Sequence, residues 1–580
     1  MFFLVAPILF LSIFPIAWEP LNFGRSFILI IWLLLFVLTR KNFPKVKLKI
    51  IFLIPIIIFT YTVSAIVNKQ NYILMLVGHY NRNMGLITLV SIFLIIYIIT
   101  TYQLNIKSFI RYGFWPTAIL TLGYGYIQYF ELDPLTWGES DRTVLTLGNS
   151  NFAAVHLVFI CLFILNQIFF TKSRNIKLVL ALNLLLIFNL GLFTQAFQFR
   201  VLLSVGLIVF LSIYYFEQIR NLGGLKNTML LSGISLFIIT YTIVKWDQLD
   251  LISRTGSVDR IESSLNALRV FKDYPITGVG IEQFWKYSNF YKSINQERIL
   301  GDGVAPDKAH NVFIDHFANG GVLAGVSFIA FIVFSLIIIY RLNNSVKEPL
   351  SRNNLAMISS IWITYTASLF ISTDMIYNQL LSYICLGFIL KLYYFFKYSE
   401  INTIPTSKRI YASTVMRLAL LPLLIILLVL GFRGFQNNLD VNKILSGKIT
   451  TSKEILNTLK IFPNPKGVEF VSIFLLNQNR SNCSIVNESS SILLTQDQRS
   501  AQAYFMKAIC ADFYGQQELA LTYIDKSLTL YPFSMIYLET KLRLELYLLR
   551  INPAQITFEK MESIDPNFKK KEELLRLMSK

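Results

Sequence analysis

The sequence predicts an all-α, polytopic integral membrane protein, and three observations carry that reading. The 580 residues are 54% hydrophobic and only 15% charged, with a mean hydropathy of +0.54; an ordinary soluble domain is about 45–50% apolar and about 25% charged. The excess collects into charge-poor runs of roughly 15–22 residues, the length that crosses ~30 Å of hydrocarbon. Between the runs, Lys and Arg fall in short loops with a strong bias to one side. A soluble enzyme, a disordered scaffold and a secreted disulfide mini-protein are excluded.

Taken in order, about 13 spans are expected at 2–17, 26–39, 50–67, 84–101, 112–130, 152–171, 178–195, 201–216, 229–245, 321–340, 355–372, 379–396 and 415–432. The first run lacks a basic start and a small-residue cleavage pattern, so it reads as an anchor and not a signal peptide. The basic stretch Arg40 to Lys49, the loop with Lys172, Arg174 and Lys177, the loop with Arg341, Lys347 and Arg352, and the stretch Lys391 to Arg417 share one side. That side is expected to be cytoplasmic, with the N-terminus. An odd span number then places everything after Phe432 outside. The net charge of +19 reports this topology and not a nucleic-acid partner.

The expected organisation is a transmembrane domain over 1–432, which includes a large external loop at 246–320, and an extracytoplasmic helical domain over 433–580. In the latter, Gly515, Ala520 and Pro532 fit the helix–turn–helix pattern of a tetratricopeptide repeat. Ala554 and Pro566 repeat Ala520 and Pro532 at its period of 34. Of four cysteines, Cys161 and Cys385 lie inside apolar runs as small packing residues. Cys483 and Cys510 lie in the C-terminal region and are able to pair if it faces an oxidising compartment.

Candidate chemistry is sparse. Of four histidines, His156 sits within a span, whereas His310 ends the long polar loop Gly301 to Asn311 just before a helix enters the membrane. An imidazole at that interface suits general-base work. The segment Asn311 to Asn319 leads into Gly320, Gly321, Ala324 and Gly325, small residues that permit close helix packing. Arg200 follows a short hinge between two apolar spans, Arg260 opens a helix-like stretch to Arg269 in the large loop, and Arg82 lies in the Gly78 to Gly85 loop. A charged side chain near the bilayer is costly and commonly functional, and guanidiniums on one face make bidentate clamps for a diphosphate. The sequence has no G-x-x-x-x-G-K-[ST] phosphate loop, no Cys/His cluster, no Asp-x-Asp pair and no row of intramembrane carboxylates. Metal sites are therefore not expected.

In their order and spacing these residues resemble the O-antigen ligase and O-antigen polymerase superfamily, which includes bacterial protein O-oligosaccharyltransferases. His310-Asn311, nine residues, then Gly321-Val-Leu-Ala324 is similar to the family's H-N-x9-G-x-x-G signature, with Ala324 for the second Gly. Asp273-Tyr-Pro275-Ile-Thr-Gly278-Val-Gly280 through Phe284 resembles its P-x-x-G-x-G…F turn, and Arg260 stands upstream as the family's loop Arg does. Arg200 takes the place of the other Arg, although Gln198-Phe-Arg200-Val replaces the common Ser-Arg-Gly. Gly148-Asn-Ser-Asn151-Phe-Ala153 resembles a G-N-x-N-x-x-A helix start. Gly78 to Gly85 is similar to a G-x-x-x-R-x-x-G element of members with a tetratricopeptide tail.

The resemblance implies a metal-independent, inverting, GT-C-like glycosyltransferase without cofactor, multi-pass in a bacterial cytoplasmic (inner) membrane. Its donor would be a glycan on a polyprenyl diphosphate, such as undecaprenyl diphosphate. The acceptor hydroxyl would belong to a lipid core sugar, as in lipopolysaccharide biosynthesis, to a growing polysaccharide, or to a protein. His310 would take or orient the acceptor proton, and Arg200 and Arg260 would neutralise the departing diphosphate. Arg82 would be a third phosphate contact, Asn311 would bind substrate, and Asp307 would orient the imidazole. The tail would bind a partner or protein acceptor. A transporter or flippase for a lipid-linked glycan is the main alternative; it leaves a loop-borne His310 unexplained. A non-catalytic membrane anchor displaying the tail is the third.

Overall fold

The computed structural model describes residues 2–15, 17, 19–39, 53–79, 82–102, 104–137, 141–216, 255–302, 304–398, 406–461 and 465–579. Among them every regular element is helical. Six helices are long and apolar enough to cross a membrane: Ser150–Phe170, Arg174–Phe193, Phe197–Tyr214, Val312–Ser345, Ile376–Lys397 and Leu424–Leu445. Shorter apolar helices occupy Phe2–Leu11, Asn22–Val37, Leu53–Val67 and Leu86–Thr101. The expected span at 229–245 and the basic stretch 40–49 lie outside the described residues.

Burial separates inner from outer helices. Ser150–Phe170 is 78% buried, packed by the helices on either side, whereas Arg174–Phe193 is 22% buried and turns Leu178, Val179, Leu182 and Leu185 outward. Water would penalise that apolar row; lipid does not. The 112–130 run is not one regular helix. Ile110–Phe114 is wound as a π segment before Trp115–Tyr129. The Trp115 N–H reaches back five residues to Ile110 O, the π spacing, immediately before Pro116, which has no N–H to give.

Helix Val312–Ser345 is broken at Gly321 (φ 73°, ψ −172°). There the small residue serves more than helix packing, because the backbone of the 273–280 turn docks in the break. Val279 N–H donates to Ala318 O (3.0 Å), Gly280 N–H to Asn319 O (2.9 Å) and Val322 N–H to Pro275 O (2.8 Å). A Cβ on Gly321 would meet Ile276 O at 2.1 Å, and one on Gly278 would meet Asn319 C at 2.5 Å; both glycines hold positive φ, which side chains resist. The Asn319 side chain accepts from Gln283 and Phe284 N–H, both at 2.9 Å. Two sequence motifs are thus halves of one joint.

Helix Thr406–Leu445 runs from the bundle into the C-terminal helices, where Val441 and Ile444 join their core. There, Ala501–Phe513 and Gln517–Leu530 recur as Met535–Tyr547 and Ile551–Ile564, each boundary displaced by 34 residues. Ala520 and Ala554 are fully buried at matching positions. Cys483 and Cys510, open from sequence, form a disulfide between two neighbouring helices of this region.

Candidate active site

Three loops meet around one carboxylate. Gly78 (φ 93°) and Gly85 bracket a tight loop in which a Cβ on Gly78 would sit 2.1 Å from Glu282 Oε2. That oxygen accepts from the N–H groups of His79 (2.7 Å) and Met84 (3.0 Å), while Glu282 Oε1 lies 2.8 Å from Lys308 Nζ. Glu282 therefore staples the Arg82 loop to the turn docked at Gly321 and to the segment that ends in His310.

Within that frame Arg82 grips Asp307 with two parallel bonds, Nε to Oδ2 at 2.5 Å and Nη2 to Oδ1 at 3.1 Å. Its Nη1 donates to Thr373 (3.2 Å), and Phe152 lies 5.7 Å from the guanidinium. Burial would raise the Asp307 carboxyl, but the guanidinium beside it holds it well below the usual range. Burial likewise works against the charge on Lys308, yet Glu282 keeps it above its ordinary value.

His310 adopts φ 53° at the hinge before Asn311. Asn311 caps the helix, accepting from Ile314 N–H at 3.2 Å. The imidazole Nε2 lies 3.9 Å from Asp259 Oδ2. Dense protein around the ring pulls its pKa down to about 4; Asp307 and Asp259 oppose that shift, and Arg260 and Arg82 reinforce it. The ring is recessed yet 24% accessible, so it is neutral at pH 7 and open to a reactant. Arg260 donates from Nη1 to Ile371 O (3.1 Å), and Asp259 is the carboxylate whose charge it feels.

Beneath the cluster, a cavity of ≈ 70 Å³ is lined by Tyr61, Glu282, Lys308, Asp315, His316 and Asp374 among others. It has room for a few waters and none for a sugar ring. Among the described residues no group of three His, Cys, Asp or Glu side chains stands at metal-binding spacing.

The structure thus brings together His310, Arg260, Arg82, Asp307 and Asn311. Asp307, expected to orient the imidazole, is gripped by Arg82 and acts on the ring through its charge, while Asp259 is the carboxylate at ion-pair distance from it. Arg200 lies exposed in the first turn of Phe197–Tyr214. It belongs to the same end of the bundle: Gln198 donates to Asn151 O, and the next residue, Phe152, faces Arg82. No described ion pair joins its guanidinium to the cluster. Asp259, Glu282, Lys308 and Thr373 went unnoticed in the sequence, although the first three adjoin or lie inside the motifs already singled out.

A comparison with curated proteins returned no match. Residues 157–329 match the model of the O-antigen ligase family; the stretch contains Arg200, Arg260, His310 and the Gly321 joint, and excludes Arg82. The match supports placing this domain, within a multi-pass membrane protein, in the O-antigen ligase superfamily.

Proposed function

We propose that the protein is a metal-independent, inverting glycosyltransferase. It would move a glycan from a polyprenyl diphosphate to an acceptor hydroxyl at the outer face of the cytoplasmic membrane. In this reading the chain crosses about 13 times, with its N-terminus cytoplasmic and its tetratricopeptide-like tail outside; the Cys483–Cys510 disulfide favours that oxidising side. The observation that carries the reading is the cluster of a neutral, accessible His310 with Arg260 and Asp259 on the O-antigen ligase domain, joined by the Arg82–Asp307 pair, whose arginine comes from outside that domain.

The acceptor oxygen attacks the anomeric carbon as its bond to the diphosphate oxygen breaks, and the diphosphate leaves with the electron pair. The hydroxyl proton passes to the His310 imidazole. Its pKa of about 4 describes the site without substrate; a bound diphosphate anion raises it as the reaction needs it. Asp259 then stabilises the imidazolium. Arg260 commits a single described hydrogen bond to a carbonyl, leaving donors for phosphate oxygens, and Arg200 adds a second cation from the same end of the bundle. Arg82 contributes through its remaining donors and, by fixing Asp307, through the shape of the site. Asn311 sets the helix start that aims the imidazole.

Purified protein given a polyprenyl-diphosphate glycan and candidate acceptors tests this directly by mass analysis of products. Glycan transfer that survives both His310→Ala and Arg260→Ala ends the proposal. Donor trapped on the inner leaflet of cells carrying either variant indicates a flippase instead.

A further inference from the structure

The C-terminal helices grip the segment that leads to His310. Lys292, between helices Phe284–Tyr291 and Ile294–Leu300, is fully buried and lies 2.5 Å from Glu297 Oε2. It donates to the carbonyls of Gly301 (3.2 Å) and Val304 (3.0 Å) and to the hydroxyl of Tyr531 (3.0 Å), a tail residue 2% exposed. The Tyr531 hydroxyl donates to Glu297 Oε2 (2.8 Å). Asp302 accepts from Ser534 Oγ (2.8 Å) and Ile536 N–H (2.5 Å) at the start of helix Met535–Tyr547. The tail therefore holds Asp302 directly and the Gly301 and Val304 carbonyls through Lys292, whose ammonium also donates to Tyr531; Val304 stands three residues before Asp307 and six before His310. Buried, charge-assisted networks of this kind hold geometry tightly because each member is costly to leave unpaired.

We propose that Tyr531 is a positioning residue for glycan transfer: with the Asp302 contact at Ile536, it fixes the 301–304 stretch and so sets Asp307 and His310. The tail is thereby part of the transferase and not a free recognition module. The effect on rate rests on the function proposed above; the effect on the loop does not.

The test compares the full-length wild type in detergent with Tyr531→Phe, Asp302→Asn and the distant exposed Glu518→Gln. Amide hydrogen exchange is followed alongside transfer kinetics. In the first two variants, exchange over 301–311 is expected to quicken about tenfold or more, while the disulfide-linked helices around Cys483 and Cys510 keep their protection. The kcat falls between about 10- and 100-fold with the donor KM little changed, as misplacement predicts. Glu518→Gln changes neither. Unaltered exchange at 301–311, or quickened exchange with unaltered kcat, overturns the proposal. A wild type without transfer activity overturns the proposed function and leaves exchange to decide whether Tyr531 holds the loop.

Discussion

The His310 cluster and the C-terminal helices are built in opposite ways. In the tail, ion pairs and hydrogen bonds join close neighbours in the chain: Arg550 to Glu518 across 32 residues, Lys541 to Asp525 across 16. Around His310 they join strangers: Arg82 to Asp307 across 225 residues, His79 to Glu282 across 203, Arg82 to Thr373 across 291. The tail repeats one local solution; the cluster is a single arrangement that exists only when distant segments have packed. Losing a partner there strands a charge, whereas in the tail it hands one back to water.

The sharpest contrast is expected from His310→Ala, which should lower transfer by about 10²–10⁴-fold while thermal unfolding in detergent stays near wild type. Its pH signature follows from the depressed imidazole. The folded pKa of about 4 lies below the ordinary 6.5. The unfolded chain therefore binds protons that the native one refuses, and stability declines as pH falls from 6.5 toward 4. In kinetics, kcat/KM should hold from neutrality until pH nears about 4, while the acid limb of kcat, read with diphosphate bound, sits at higher pH. A kcat/KM limb near 6.5 that disappears in His310→Ala would place the ring in water and not in a crowded cleft.

Next in size is the Arg82–Asp307 pair, with side chains 18% and 27% exposed. Asp307→Ala should cost on the order of 3 kcal/mol, and Asp307→Leu with Arg82→Met should cost less than either single removal. A double-variant cycle of thermal stability with no coupling would erase the distinction between the two regions.

The sequence made one side of that distinction plain. Charge-poor runs announced the long helices, and the 34-residue spacing of Ala520 and Ala554 announced the tail hairpins, because each pattern lies within one short continuous stretch of chain. His310 and Gly321 were marked by position, although the joint they frame needs a second segment, 273–280, that only packing brings to it. Which carboxylate Arg82 would take, and that Glu282 would staple three loops, left no local trace: Asp307 stands 225 residues from Arg82 and Glu282 stands 203 from His79. The π segment at Ile110–Phe114 was hidden for a related reason, since a lone Pro116 is compatible with an ordinary first turn.

A smaller effect tests whether the tail is self-sufficient. Replacing Cys483 and Cys510 together by Ser opens a link across 27 residues and should cost about 2–4 kcal/mol, seen as earlier melting and faster proteolysis within 465–513. Transfer at low temperature should survive. The least is expected from Arg550→Ala, whose partner Glu518 is 65% exposed: below about 1 kcal/mol in thermal stability.

The interruption at Gly321 makes two rods of one. Each residue of an α-helix advances the rotation by about 100°, so an extra residue inserted after 322 would spin only the lower rod and leave the imidazole's bearing untouched. The same insertion between 312 and 320 would swing His310 about 100° away from Asp259. Length variation in this helix should accordingly spare the imidazole on one side of a single glycine, where its cost falls on the buried face of Phe328, Phe331 and Ser335, and silence the site on the other.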